Sequence, residues 1–153
     1  MVTFRPMTDD EYTAYDEYLW EDYAQVRARN AHHTIEEERA DVAKQRASLL
    51  PEGLHTPQHS FWQVIDAAEG IVGHLWVHVD DATHRAFIYD IEIAPTHRGR
   101  GYGQQTLVEL ERQLKPLGVT AIALNVFGDN DTAQRLYQRS GYRIVGISMQ
   151  KEL

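Results

Sequence analysis

The sequence predicts an α/β protein with one mixed sheet, and three observations carry that prediction. Apolar residues recur at helical spacing through the first third of the chain, the period changes to two at Phe61, and a strand–glycine loop–helix unit follows near residue 100. The element order reads β-α-α-β-β-β-α-β-α-β-β, with helices on both faces of the sheet. At 153 residues the chain has the length of a single domain, 1–153, able to bury a substantial core.

Residues 2–5 form a short β-like run that Pro6 ends. Thr8 or Asp9 can cap a long helix reaching about Asn30, in which Tyr12, Tyr15, Leu19, Tyr23 and Val26 make one apolar stripe. Tyr18 and Trp20 lie off that stripe or at its edge. Thr34, with Glu37 three residues on, has the capping-box spacing and starts a second helix, which Pro51-Glu52-Gly53 stops. The runs 61–65 and 71–79 flank Ala68-Glu69-Gly70 as a hairpin, and the turn 80–83 leads to a third strand over 85–94, stopped by Pro95. A helix over about 101–115 points Leu107, Leu110 and Leu114 inward and ends at Gly118. A strand at 119–126, a helix at 130–140 and strands at 142–145 and 147–152 complete the sheet. The sequence shows no repeat and no low-complexity segment.

Composition removes whole classes of function. Fifteen Lys and Arg against 23 Asp and Glu give a formal charge of −8, which disfavours nucleic acid as an electrostatic partner. No cysteine is present, so disulfides, thiolate metal sites and a cysteine nucleophile are excluded. Residues 1–10 lack the apolar run of a secretory signal, and no stretch nears the roughly 20 apolar residues of a bilayer span. A cytoplasmic protein with no membrane partner is the expectation.

Arg98-Gly99-Arg100-Gly101-Tyr102-Gly103 is the most informative stretch. Alternating glycines let the backbone approach a ligand and expose successive N–H groups. The helix start adds unpaired amides and the positive end of its dipole, so the loop suits a phosphate. A Walker-type loop is absent. The dinucleotide fingerprint fails because its third glycine position holds Gln104, and because the preceding strand belongs to a hairpin series.

The spacing Arg98-x-x-Gly101-x-Gly103 after Ile91-Glu92-Ile93-Ala94-Pro95 resembles the pyrophosphate loop of the GNAT superfamily, the acetyl-CoA-dependent N-acetyltransferases. A second block, Asn130-Asp131-Thr132-Ala133-Gln134-Arg135-Leu136-Tyr137-Gln138-Arg139-Ser140-Gly141-Tyr142, is similar to that family's Asn-x-x-Ala-x-x-Leu-Tyr-x-x-x-Gly-Phe segment, with Tyr142 in place of Phe. The runs 49–59 and 87–90 look like a small bacterial subgroup without an assigned acceptor.

The resemblance implies the GNAT acyl-CoA N-acyltransferase fold and acetyl-CoA as cosubstrate. Amides of Gly99, Arg100, Gly101, Tyr102, Gly103 and Gln104 would hold its diphosphate, with a charge-assisted contact from Arg98 or Arg100. The backbone of Ile91, Glu92 and Ile93 would pair with pantetheine and polarise the thioester carbonyl. Asn130 would contact pantetheine as well as cap its helix. Tyr137 would protonate the departing thiolate.

An ammonium acceptor must lose a proton before it attacks, at a cost of roughly 4.6 kcal/mol for a lysine-like amine at neutral pH. Some family members place a glutamate on the strand after the glycine helix, where this chain has Asn125. Asp90 and Glu92 share one strand face and are the candidate bases, Glu92 first because it lies nearer the implied thioester. His74 and His78 share a strand face around Trp76; their spacing suits acceptor contact or packing, and no metal is expected. Tyr23, His32, His33 and Trp62 are candidates for the acceptor-pocket wall.

The implied activity is transfer of acetyl to a primary amine by direct attack in a ternary complex, the acceptor being a small amine or a peptide amine. A non-catalytic acyl-CoA-binding module and a protein N-terminal or lysine acetyltransferase are the alternatives. By analogy with the fold, two copies could pair as a homodimer through a sheet edge or the final strands.

Overall fold

Alternation beginning at His59 produces three antiparallel strands in succession. In the computed structural model, which describes residues 1–153, these are β2 (His59–Asp66), β3 (Gly70–Asp80) and β4 (Arg85–Ile93). β1 (Val2–Pro6) pairs antiparallel with β2 and forms one sheet edge. Pro6 is the last residue of β1, where a missing backbone donor is tolerated. The helix α3 (Tyr102–Leu114) carries the chain over to β5 (Ala121–Leu124), which pairs parallel with β4, as a helical crossover requires. The sheet order is β1-β2-β3-β4-β5.

The chain divides into two compact units, Met1–Ala14 with Glu52–Asn125 and Tyr15–Pro51 with Val126–Leu153. The first contains the sheet and α3. Its core is Val2, Val64, Val72, Leu75, Val77 and Ile88, with Leu107, Leu110 and Leu114 of α3, all buried; the three leucines are the inward positions that the spacing predicts. The second contains most of α1 (Asp9–Ala31), α2 (Ile35–Leu49) and α4 (Asp131–Arg139). Tyr15 and Leu19 are buried on α1 and Val42 on α2. Thr34 and Glu37 close the predicted capping box, with reciprocal bonds of 3.2 and 3.1 Å. Buried Glu38 takes both Arg27 and His33, each at 2.7 Å.

Two sequence expectations are corrected. β5 spans four residues, shorter than the expected 119–126. The strands expected at 142–145 and 147–152 do not form, so the order ends at α4 and the sheet ends at β5. Val145 and Met149 are 82% and 92% exposed. Alternation marks a segment able to lie on a pleated surface, but a strand needs a hydrogen-bonded neighbour, and this segment has none in the sheet.

Candidate active site

The site begins where two strands part. The β4–β5 ladder runs from Arg85↔Ala121 to Ile88↔Leu124 and stops, while β4 continues to Ile93. On the β3 side the pairing persists, through Trp76↔Asp90, Leu75↔Ile91, His74↔Glu92 and Gly73↔Ile93. The β5-facing backbone groups of residues 89–93 therefore have no strand partner, and an extended ligand can pair with them. A bulge marks the parting: the register shifts between Trp76 and Val77, leaving Tyr89 unopposed on β4.

The open edge leads directly into the glycine loop. A 3-10 turn at Pro95–His97 is followed by Arg98, and Gly99 and Gly101 adopt φ of 72° and 85°. This left-handed region is open to glycine and strained for other residues. Gly101 caps α3, and Gln105 N–H to Gly101 C=O, at 3.1 Å, is its first turn's bond. The amides of Tyr102, Gly103 and Gln104 thus have no acceptor within the helix, and the dipole's positive end lies among them. Space in front of Gly99 is open to 4 Å. The geometry fits an anion.

Both loop arginines are held by carboxylates. Arg98 donates through Nε to the Ile93 carbonyl at 2.9 Å and pairs through Nη2 with Glu92 at 3.4 Å. Arg100 pairs with Glu69 at 3.3 Å, lies over the Tyr102 ring, and shares Glu69 with His97.

Asp90 and Glu92 converge on His74 across the β3–β4 ladder. His74 Nε2 lies 3.1 Å from Asp90 Oδ2 and 3.6 Å from Glu92 Oε2. Burial disfavours the imidazolium, but hydrogen bonds and charge from the two carboxylates outweigh it and raise the His74 pKa to about 9. One donor atom from each residue fits within 4.8 Å. With its proton on Nε2, however, the ring offers no lone pair there to a cation.

Further along the same face, Trp76 donates to His59 Nδ1 at 2.9 Å, and its ring stacks on Tyr89 at 4.5 Å. His59 and His78 face each other at 4.6 Å. Burial, then the charge of His78, lower the His59 pKa to about 4. A neutral ring is what the Trp76 bond requires, since Nδ1 accepts.

Asn130 and Tyr137 belong to the second unit. Asn130 caps α4 by accepting from the Ala133 amide at 3.1 Å. Half-buried Tyr137 lies 5.8 Å from the Tyr142 ring, with the Tyr142 amide donating to its carbonyl at 2.9 Å. Among the pocket-wall candidates, Trp62 is opposite Leu75 and stacked on Phe4 at 5.3 Å, placing it on the sheet face away from His74. His33 is bound to Glu38. Tyr23 sits under Arg27 and 6.1 Å from Phe127.

The sequence model described as the Acetyltransferase (GNAT) family matches residues 7–142. Over 155 aligned residues the chain is 33% identical to the uncharacterized N-acetyltransferase YycN of Bacillus subtilis, covering 99% of each. It is 29% identical to YdgE of the same organism, another uncharacterized N-acetyltransferase, covering 99% of this chain and 98% of that one. A crystal structure of YycN superposes with a TM-score of 0.94 at 31% identity, covering 100% and 99% of the two chains. The spermidine N-acetyltransferase of Vibrio cholerae, solved with CoA and spermine, shares the fold, with a TM-score of 0.64, 19% identity and coverage of 92% and 79%.

Proposed function

Since the chain belongs to the GNAT acetyltransferase family, and so to the N-acetyltransferases, we propose that it transfers the acetyl group of acetyl-CoA to a primary amine by direct attack. The observation that carries this reading is the edge of β4 beyond Ile88, which has no strand partner on the β5 side, followed along the chain by the amides at the start of α3 that the helix leaves without acceptors. It offers paired backbone groups to a pantetheine arm and then an anion cradle to a diphosphate.

In this mechanism the pantetheine pairs along Ile91, Glu92 and Ile93, and the loop amides 99–104 hold the diphosphate. Arg98 and Arg100 can exchange a carboxylate for a phosphate, since their present partners are weakly held at 3.3–3.4 Å. The acceptor ammonium passes one proton to Glu92, with Asp90 the second candidate. The neutral nitrogen attacks the thioester carbon, the C–N bond forms, and a β4 amide takes the developing oxyanion. The C–S bond then breaks, Tyr137 supplies the thiol proton, and the second proton of the attacking nitrogen returns to the tyrosinate, leaving a neutral amide, a thiol and a phenol. Asn130 adds a contact to pantetheine. A single N-acetyltransferase domain, 1–153, belongs to the same proposal.

An acidic chain suits a cationic acceptor, either a small amine or a peptide amine. The relative solved with spermine is consistent with the former. Residence in the cytoplasm and pairing of two copies belong to the same proposal; no helix is long and apolar enough to cross a membrane. The test is thiol release from acetyl-CoA with polyamines, amino sugars, amino acids and N-terminal peptides. Turnover that requires an amine supports the reading. Asn125, just beyond β5 where a base could stand, favours a second reading, a non-catalytic acyl-CoA-binding module. CoA binding without acetylation of any acceptor would establish it.

A further inference from the structure

We propose that His74 is a positioning residue for this reaction, a fixed counter-cation beneath the Asp90–Glu92 pair that offsets the repulsion between the two carboxylates and holds them where one can receive the acceptor's proton. The inference rests on the acetyl-transfer reading above and adds a residue to it.

Two carboxylates this close, with no cation between them, share a proton, because the second ionisation works against the first charge. A shared proton would occupy the base before any acceptor arrived. His74 prevents this by geometry: it stands opposite Glu92 in the ladder and two pairs from Asp90, on the same face, and its Nε2 lies 3.6 Å from Glu92 and 3.1 Å from Asp90. Burial opposes its charge and the two carboxylates restore it, so the ring is an imidazolium through the neutral range.

The other groups facing this cluster do not replace it. On the β2 side His74 is opposite Gln63, which is neutral and donates to Glu11 at 2.9 Å; Glu11 in turn takes Arg5, also at 2.9 Å. Arg98 reaches the other oxygen of Glu92 at 3.4 Å, but its side chain is 56% exposed, against 19% for His74. It also stands on the loop that would hold the diphosphate. If Arg98 turns to phosphate, His74 still reaches both carboxylates.

In the reaction His74 keeps its proton. One proton of the acceptor ammonium moves to Glu92, the nitrogen bonds to the acetyl carbon, and the carbon–sulfur bond breaks with the thiol taking its proton from Tyr137, which the nitrogen's second proton restores. His74 touches none of the reacting atoms and acts only through the carboxylates.

The experiment pairs His74→Gln, which removes the charge, with His74→Lys, which keeps it. kcat/KM is measured from pH 5 to 9.5 with whichever amine the wild type acetylates best. His74→Gln is expected to move the midpoint of the acid limb up by about one unit or more and to lower kcat about tenfold at pH 7, with CoA binding unchanged. His74→Lys should return the limb toward the wild-type position. Superimposable limbs for wild type and His74→Gln, or equal limbs for the two variants, would overturn the proposal. A second arm, 15N NMR of the wild-type imidazoles without ligand, needs neither turnover nor a folded variant. His74 should titrate near 9; titration at or below the ordinary histidine value near 6.5 would refute the claim. Failure to acetylate any amine sinks the transferase reading and the role of His74 in it, while the NMR arm separately reads whether His74 is the cation between Asp90 and Glu92.

Discussion

Replacing Gly73 by alanine would place a methyl carbon 2.3 Å from the Glu92 carbonyl oxygen, 3.0 Å from Ile93 Cδ1 and 3.1 Å from Ile93 Cα. Two of those three atoms are backbone, so no side-chain rotation relieves the contact. β3 and β4 must separate by about 1 Å at the Gly73↔Ile93 pair to reach ordinary carbon–oxygen distance. Overpacking of this kind costs about 1–3 kcal/mol, and the reduced freedom of the unfolded chain returns about 0.4–1 kcal/mol. The net loss of about 1–2 kcal/mol corresponds to a fall in Tm of about 2–8 °C for a chain of this size. The displaced strand is the one whose residues 91–93 would carry pantetheine, so CoA affinity should fall about tenfold alongside stability. Thermal unfolding by circular dichroism and calorimetric CoA titration measure the two effects. Gly128→Ala, which meets nothing within 4 Å, is the control and should stay within about 0.5 kcal/mol of wild type. A Gly73→Ala protein with wild-type Tm and wild-type CoA affinity would refute the claim that close strand approach here shapes the coenzyme edge.

Gly101→Ala forces a Cβ into the left-handed conformation at φ 85°; it should cost about 1–2 kcal/mol in the melt and weaken CoA binding several-fold in the same titration. Tyr137→Phe should lower turnover by about 10²–10⁴-fold while CoA binding holds; a stopped-time thiol assay reads this, and unchanged turnover would remove Tyr137 from the mechanism. The two perturbed histidines pull stability in opposite directions with pH. His74, raised to about 9, contributes stability that is complete below about 6.5 and lost as pH rises through about 9. His59, lowered to about 4, is held neutral, so its share is complete above about 6.5 and declines as pH falls toward 4. Urea midpoints across pH 4–10 should therefore fall at both ends, the alkaline fall vanishing in His74→Gln and the acid fall shrinking in His59→Phe.

Much of the scaffold was legible because local chemistry and global packing agree. The capping box at Thr34 and Glu37, the inward leucines of α3 and the glycine loop each have a physical reason that does not depend on distant contacts. The ion-pair cluster was not legible, and the bulge explains why. From Asp80↔Arg85 to Val77↔Ile88 the hairpin keeps one register, which carried onward would set His74 against Ile91. The extra residue at Tyr89 shifts the ladder by one, bringing His74 opposite Glu92. A single inserted residue decides which side chains meet, and no composition or period reports it. The final strands failed for the converse reason: alternation in 142–152 describes a surface a strand could occupy, whereas pairing is a property of the neighbour. Trp62, a pocket-wall candidate in the sequence, stands opposite Leu75 and so on the sheet face away from His74, a placement that only the register reveals.

Equilibrium dialysis of the whole chain against labelled acetyl-CoA tests most directly whether the main chain around residue 101 grips a diphosphate. One molecule should bind per chain, ADP should compete as a diphosphate fragment, and Gly101→Ala should weaken both. No saturable uptake at millimolar acetyl-CoA by folded protein would contradict the account at its base.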